Sequence, residues 1–159
     1  LPRIPADAPS IEGFLFPATY SFDPNPDAGE VIKVMVDRME QELLKYEIPL
    51  AESLPTLTLA SMVASEGRFE EDLFKISRVF LNRLGIGMAL QSDQTVKYRY
   101  KGNLESFQEG LKDTESLFNT FSNPGLPIGP ITNPGGLAIE AALRPAEGAW
   151  LYFVAINLD

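Results

Sequence analysis

The sequence predicts an α+β fold that is predominantly helical, and three observations carry that expectation. Apolar residues recur at helical spacing over most of residues 27–84. The first 26 residues are instead rich in proline and aromatics, among them Phe14, Phe16, Tyr20 and Phe22. They read as extended segments or short strands broken by turns. Near the end, residues 150–156 read as a terminal, buried strand.

Within the helical part, Ile32, Met35, Met39 and Leu43 fall on one face while Lys33, Asp37, Arg38 and Glu42 fall on the other. This is an amphipathic helix of about four turns. Residues 49–55 form a connection, and Leu57, Leu59, Ala60, Met62 and Val63 then make a helix that is apolar nearly all round, hence buried, and that stops at Gly67. The acidic triplet Glu70, Glu71 and Asp72 suits the first turn of the next helix, whose inner face is Leu73, Ile76, Val79, Phe80 and Leu84. Gly85-Ile86-Gly87 breaks it. Residues 88–100 read as irregular and partly extended, residues 111–118 as a short helix, 119–136 as a long Pro/Gly loop and 137–143 as another short helix.

With 159 residues and an apolar fraction of 45%, the chain is expected to be one domain, 1–159. A net charge of -9 without a basic stripe argues against nucleic acid. No run approaches the roughly 18 apolar residues that span a bilayer. The absence of both cysteine and histidine excludes thiol nucleophiles, Ser-His-Asp arrangements and the commonest zinc ligand sets. Phosphate-cradling glycine motifs are absent as well. Carboxylate chemistry is what remains.

Glu66 is the leading carboxylate. As the last residue of an apolar helix it sits at the negative end of the helix dipole beside a hydrophobic wall, and both effects favour the neutral acid. A glutamic acid held neutral is what protonation of a glycosidic oxygen requires. The competing reading is a peripheral helix-end glutamate bonded to a lysine or to backbone amides. Gln91, Ser92, Asp93, Gln94 and Thr95 form a polar cluster that suits either a substrate-facing loop or an ordinary turn. Asp93 is the best partner for Glu66 in a two-carboxylate glycosidase. Asn119 and Thr120, between Phe118 and Phe121, suit either a sugar-binding edge or a capped loop packed on two aromatics.

Several fragments then carry a specific resemblance: Glu12-Gly13-Phe14-Leu15-Phe16-Pro17-Ala18-Thr19-Tyr20, Leu59-Ala60-Ser61-Met62-Val63-Ala64-Ser65-Glu66, Val79-Phe80-Leu81-Asn82-Arg83-Leu84 and Gly87-Met88-Ala89-Leu90-Gln91-Ser92-Asp93-Gln94-Thr95-Val96. Asn119-Thr120-Phe121, Gly125-Leu126-Pro127-Ile128-Gly129-Pro130-Ile131 and Leu151-Tyr152-Phe153-Val154-Ala155 follow in the same order. Together they resemble the YceG/MltG family of endolytic murein transglycosylases over nearly the whole chain. The resemblance implies a lysozyme-like catalytic domain, with residues 1–50 as lead-in strands and amphipathic helix and 51–159 as the lysozyme-like core. It also implies excision from a longer protein with a membrane anchor and a LysM-like segment upstream and a histidine-containing continuation downstream.

By the same resemblance, Glu66 is the catalytic acid of a lyase acting on peptidoglycan. It would cleave between N-acetylmuramic acid and N-acetylglucosamine to leave 1,6-anhydromuramyl ends, while Gln91, Ser92, Asp93 and Asn119 line the glycan groove; Thr120, beside Asn119, is a further substrate-binding candidate. The implied setting is the outer face of the cytoplasmic membrane, with glycan strands as substrate and penicillin-binding peptidoglycan synthases as neighbours. No metal or organic cofactor is implied. Two stretches depart from the family pattern: Ala64-Ser65-Glu66 stands where Glu-Lys-Glu is usual, and Gln94 stands where proline is common. The alternatives are a two-carboxylate glycoside hydrolase using Glu66 with Asp93, and a non-catalytic glycan-binding module.

Overall fold

The computed structural model describes residues 4–154. Six α-helices follow in chain order: α1 (Ala28–Leu44), α2 (Leu54–Glu66), α3 (Glu70–Gly85), α4 (Asp93–Arg99), α5 (Leu104–Lys112) and α6 (Gly136–Leu143). A short 3₁₀ turn, Leu50–Glu52, precedes α2. The expected amphipathic helix is α1, capped by Asp27, whose carboxylate accepts the Gly29 N–H at 2.9 Å.

Helix α2 is the axis of the molecule. Seven consecutive residues, Leu57 to Val63, are buried, as an apolar-all-round sequence requires. It packs against α6, α3 and α4, and α3 also packs on α6. Helix α6 contributes Ala138, Ile139, Ala141 and Ala142 to the same core. Gly67 ends α2 as expected but with φ -80°, so its value is not a left-handed turn. A Cβ there would meet Leu73 Cδ2 at 2.2 Å, and glycine is the residue that lets α3 fold back this closely.

The α+β expectation, and with it the lysozyme-like core, is overturned: among the described residues there is no strand, and the class is helical. The physical reason lies in where the extended segments send their backbone groups. Gly13 N–H and Leu15 N–H both donate to Asn133 Oδ1, at 2.8 and 3.1 Å, and Phe16 N–H donates to the Met35 carbonyl. Asn133 Nδ2 completes the bracket by donating to Glu12 Oε1 at 2.7 Å. At the other end, Arg78 Nε donates to the Ala146 carbonyl and Asn82 Nδ2 to those of Gly148 and Trp150. Arg83 Nε donates to the Leu151 carbonyl at 2.7 Å. A β-prone segment thus lies along α3, held by these side chains and by the Ala146 N–H bond to the Phe74 carbonyl instead of by a neighbouring strand. Trp150, Tyr152, Phe153 and Val154 are exposed, not buried as expected, and residues 155 and 156 lie outside the described residues.

Three further corrections are local. Residues 88–100, expected to be irregular, contain α4; the helix begins at Asp93, directly after the buried Leu90 and Ser92 have anchored the chain. The short helix expected over 111–118 lies earlier, as α5, because Asn103 caps it by accepting the Ser106 N–H at 3.0 Å. Glu42, expected on the outer face of α1, is buried, where its carboxylate meets Lys45 and Arg38 and lies beside Gly136 at the start of α6. An acid at a helix N-terminus is favoured by the helix dipole, which suits Glu42 to this burial.

Candidate active site

Glu66 closes α2, half-buried, at the point where α2 meets α4. Its Oε1 accepts a 2.6 Å hydrogen bond from Ser92 Oγ. Four influences act on its acidity. Burial is the largest and raises its pKa above the usual glutamate value; the Ser92 hydroxyl favours the carboxylate and lowers it; the charge of Asp93 raises it, and that of Lys97 lowers it. The net result is a raised pKa, so the acid form persists above the range of an ordinary glutamate. A lysine or backbone-amide partner, the alternative for a helix-end glutamate, is not what holds it.

Ser92 is fixed by a closed set of bonds. Its N–H donates to Thr120 Oγ1 at 3.0 Å, and its carbonyl accepts from Thr95 Oγ1 at 2.8 Å. The Thr95 and Thr120 hydroxyls are 2.9 Å apart. Since the single proton of Thr95 is committed to the Ser92 carbonyl, Thr120 is the donor between the two hydroxyls. All three residues are buried. Just before them, Gln91 takes φ 51°, a left-handed turn that non-glycine residues seldom adopt, and its N–H donates to the Thr120 carbonyl at 3.1 Å. The turn aims Ser92 inward at Glu66 and leaves the Gln91 and Asp93 side chains exposed.

The candidate residues therefore divide. Glu66, Ser92 and Asp93 converge on one end of α2, and Gln91, exposed, immediately precedes Ser92 in the chain. Thr120 is buried beneath Ser92 and reaches the site only through it. Asn119, 1% exposed, spends its amide within the loop: Nδ2 donates to the carbonyls of Gly110, Leu111 and Asp113, and Oδ1 accepts the Phe121 N–H. Two further residues belong here, Thr95, named in the sequence only as part of the polar cluster, and Lys97, which sequence reasoning passed over. Thr95 stands three residues after Ser92, the spacing of a helix first turn, and Lys97 stands four after Asp93 with Nζ 3.8 Å from Asp93 Oδ2. Among the described residues no cluster of three or more acidic side chains is suited to a metal ion.

Fold and site together define a class: a helical domain whose central apolar helix ends in one desolvated glutamic acid, oriented by a buried hydroxyl set. The chain belongs to the YceG-like family, whose model matches residues 3–159. It is 37% identical over 150 residues to an endolytic murein transglycosylase of Bacillus subtilis, covering 91% of this chain and 42% of that protein. It is 35% identical over 154 residues to one of Streptococcus pneumoniae, covering 91% of this chain and 28% of that protein. A crystal structure of a yceG-like protein from Listeria monocytogenes superposes with a TM-score of 0.74 at 34% identity, over 92% of this chain and 50% of that one. The chain thus spans less than half the length of these two curated relatives.

Proposed function

We propose that this chain carries the catalytic acid of an endolytic murein transglycosylase, and that Glu66 is that acid. The observation that supports this most directly is a glutamic acid with a raised pKa whose Oε1 accepts a hydrogen bond from a buried hydroxyl. With Oε1 engaged by Ser92, Oε2 carries the proton. It passes to the oxygen linking C1 of N-acetylmuramic acid to the next N-acetylglucosamine, and the C1–O bond breaks. The resulting carboxylate takes the proton of the muramyl C6 hydroxyl as that oxygen bonds to C1. The products are a 1,6-anhydromuramyl end and a free N-acetylglucosamine hydroxyl, with no water consumed and Glu66 returned to its acid form. Burial disfavours the carboxylate stage, which drives the second proton transfer.

In this reading Gln91 and Asp93 flank the glycan, whereas Asn119 and Thr120 hold the loop and Ser92 in place. The whole protein would act on glycan strands at the outer face of the cytoplasmic membrane, beside penicillin-binding synthases, through an anchor outside this chain. No helix among the described residues is long and apolar enough to cross a membrane. The test is to incubate uncrosslinked glycan strands with the wild type and with Glu66→Gln and to identify the new ends by mass spectrometry. Anhydromuramyl ends from wild type alone are expected. Reducing ends would replace this reading with hydrolysis by Glu66 and Asp93, and strands bound but uncut would leave a binding module.

A further inference from the structure

In a chain of net charge -9, residues 94–104 contain three cations, Lys97, Arg99 and Lys101, and no acid. The turn from α4 into α5 folds this stretch around an open cavity of about 480 Å³. Asp93, Lys97, Lys101, Asn103, Leu104 and Phe107 line it. Arg99 lies apart, its guanidinium 6.0 Å from the Phe118 ring, so the cations of the cavity are the two lysines. Lys97 Nζ stands 5.5 Å from the Phe107 ring and Lys101 Nζ 6.0 Å from the Tyr98 ring. Leu104 is 70% exposed and offers an apolar wall beside them.

The cavity begins beside the site. Asp93 lines it and follows Ser92, the residue bonded to Glu66. Lys97 is one helical turn beyond Asp93, about 6 Å along the axis, and Lys101 lies past the end of the helix. Lys97 Nζ lies 3.8 Å from Asp93 Oδ2, so these two charges offset each other at the Glu66 end, and a ligand carboxylate is drawn toward the far end, where Lys101 adds a second cation. That polarity fits an arm which leaves a sugar at Glu66, carries small aliphatic side chains, and bears its negative charge some way out. The lactyl-linked peptide of a muramyl sugar has this chemistry. An extended chain advances about 3.3–3.6 Å per residue, so a lactyl group and two amino acids reach roughly 10 Å.

We propose that the α4–α5 cavity is a subsite for the peptide stem of the muramyl residue, with Lys97 and Lys101 taking a stem carboxylate and Leu104 and Phe107 the aliphatic side chains next to it. The proposal rests on the reading of Glu66 as the acid of a murein-cleaving site, and it makes the enzyme sensitive to whether strands still carry peptides.

The test is binding of N-acetylmuramyl tripeptide followed by amide NMR shifts in wild type, Lys101→Glu and the double variant Lys97→Gln/Lys101→Gln. Saturable shifts across residues 97–107 are expected, with affinity roughly five- to tenfold weaker in the double variant and spectra elsewhere unchanged. Absence of those shifts, equal affinity in the variants, or an equal response to inorganic phosphate or to a tripeptide amidated at its carboxylates would overturn the proposal. In parallel, wild type should cleave peptide-bearing strands in preference to peptide-free ones, and Lys101→Glu, which leaves the groups acting on Glu66 in place, should lose that preference. Peptide binding without cleavage of any strand would sink the transglycosylase reading alone. Cleavage with neither shifts nor preference would sink the stem subsite alone.

Discussion

Glu66 is held between opposed influences, and each can be removed separately. Glu66→Gln keeps the acceptor for Ser92 but has no proton to give, and should lower turnover on glycan strands by roughly 10²–10⁴-fold, the usual worth of a positioned general acid. In the proposed mechanism the protonated acid is the active form, so the rate should fall as pH rises through the Glu66 pKa. Removing the Ser92 hydroxyl in Ser92→Ala removes a bond that favours the carboxylate, and the falling limb of the kcat/KM profile should move to higher pH. Asp93→Asn removes a charge that favours the acid, and the same limb should move to lower pH. Shifts of the same sign in both variants would break the account of the site. The stability consequence also has a definite sign. Because the folded-state pKa is raised, the native state loses stability as pH rises from the ordinary glutamate value through the raised one. Glu66→Gln should therefore raise the melting temperature at neutral pH, with the gain shrinking toward zero once pH falls below the ordinary value.

At the scale of elements, the loop 119–136 is tied down at three points. Thr120 holds Ser92, the Ile131 N–H donates to the buried Ser61 Oγ of α2 at 3.0 Å, and Asn133 brackets Gly13 and Leu15. Gly13, at φ 91°, lies so close to Pro130 that a Cβ would approach its ring to 2.3 Å. Through Thr120 and Ile131 the loop braces Ser92 and α2 from behind the site. Ser61→Ala leaves the Ile131 N–H buried without a partner and should cost about 1–3 kcal/mol in urea unfolding. Leu57→Ala, which empties part of the α2 core, should cost about 2–5 kcal/mol. Helix α3 offers a different handle. Arg83 forks between the Leu90 and Leu151 carbonyls and lies 4.9 Å from the Tyr152 ring, joining the segment before Ser92 to the end of the described chain. In Arg83→Leu the fluorescence anisotropy of Trp150, the single tryptophan, should fall as its segment lifts from α3.

For the molecule as a whole, one core runs from Phe14 and Phe16 through α1, α2 and α3 to Ala142. A continuous core predicts one cooperative calorimetric transition, with an enthalpy of about 110 kcal/mol near 60 °C for a chain of this length. Two resolved transitions would separate α1 from the rest. Much of this core was legible in the sequence: helical periodicity located α1, α2, α3 and α6, and the apolar run before Glu66 announced its burial. The polar residues Gln91 to Thr95 showed that a polar surface meets the chain there, but not that Thr95 and Thr120 would turn inward to hold Ser92. That requires knowing that residues 25 or more apart in sequence share a hydrogen bond, which no local pattern encodes. Asn119 carried two readings for the same reason, since an amide that serves a sugar and one that serves its own loop look alike until its partners are known. The strands failed because β-propensity describes a residue's comfort in an extended chain and not the availability of a second chain beside it.

The way α3 grips residues 146–151 bears on how this region can drift. Arg78, Asn82 and Arg83 hold main-chain carbonyls, which every amino acid presents alike. The instructions for docking are therefore written on the helix and not on the segment that docks. In a saturation library, most positions from 145 to 151 should accept many amino acids, with Gly148, folded against the Trp150 ring, as the exception, while the three α3 positions should accept almost none. Relatives could then diverge freely in this stretch and still present the same backbone path behind the residues that orient Glu66.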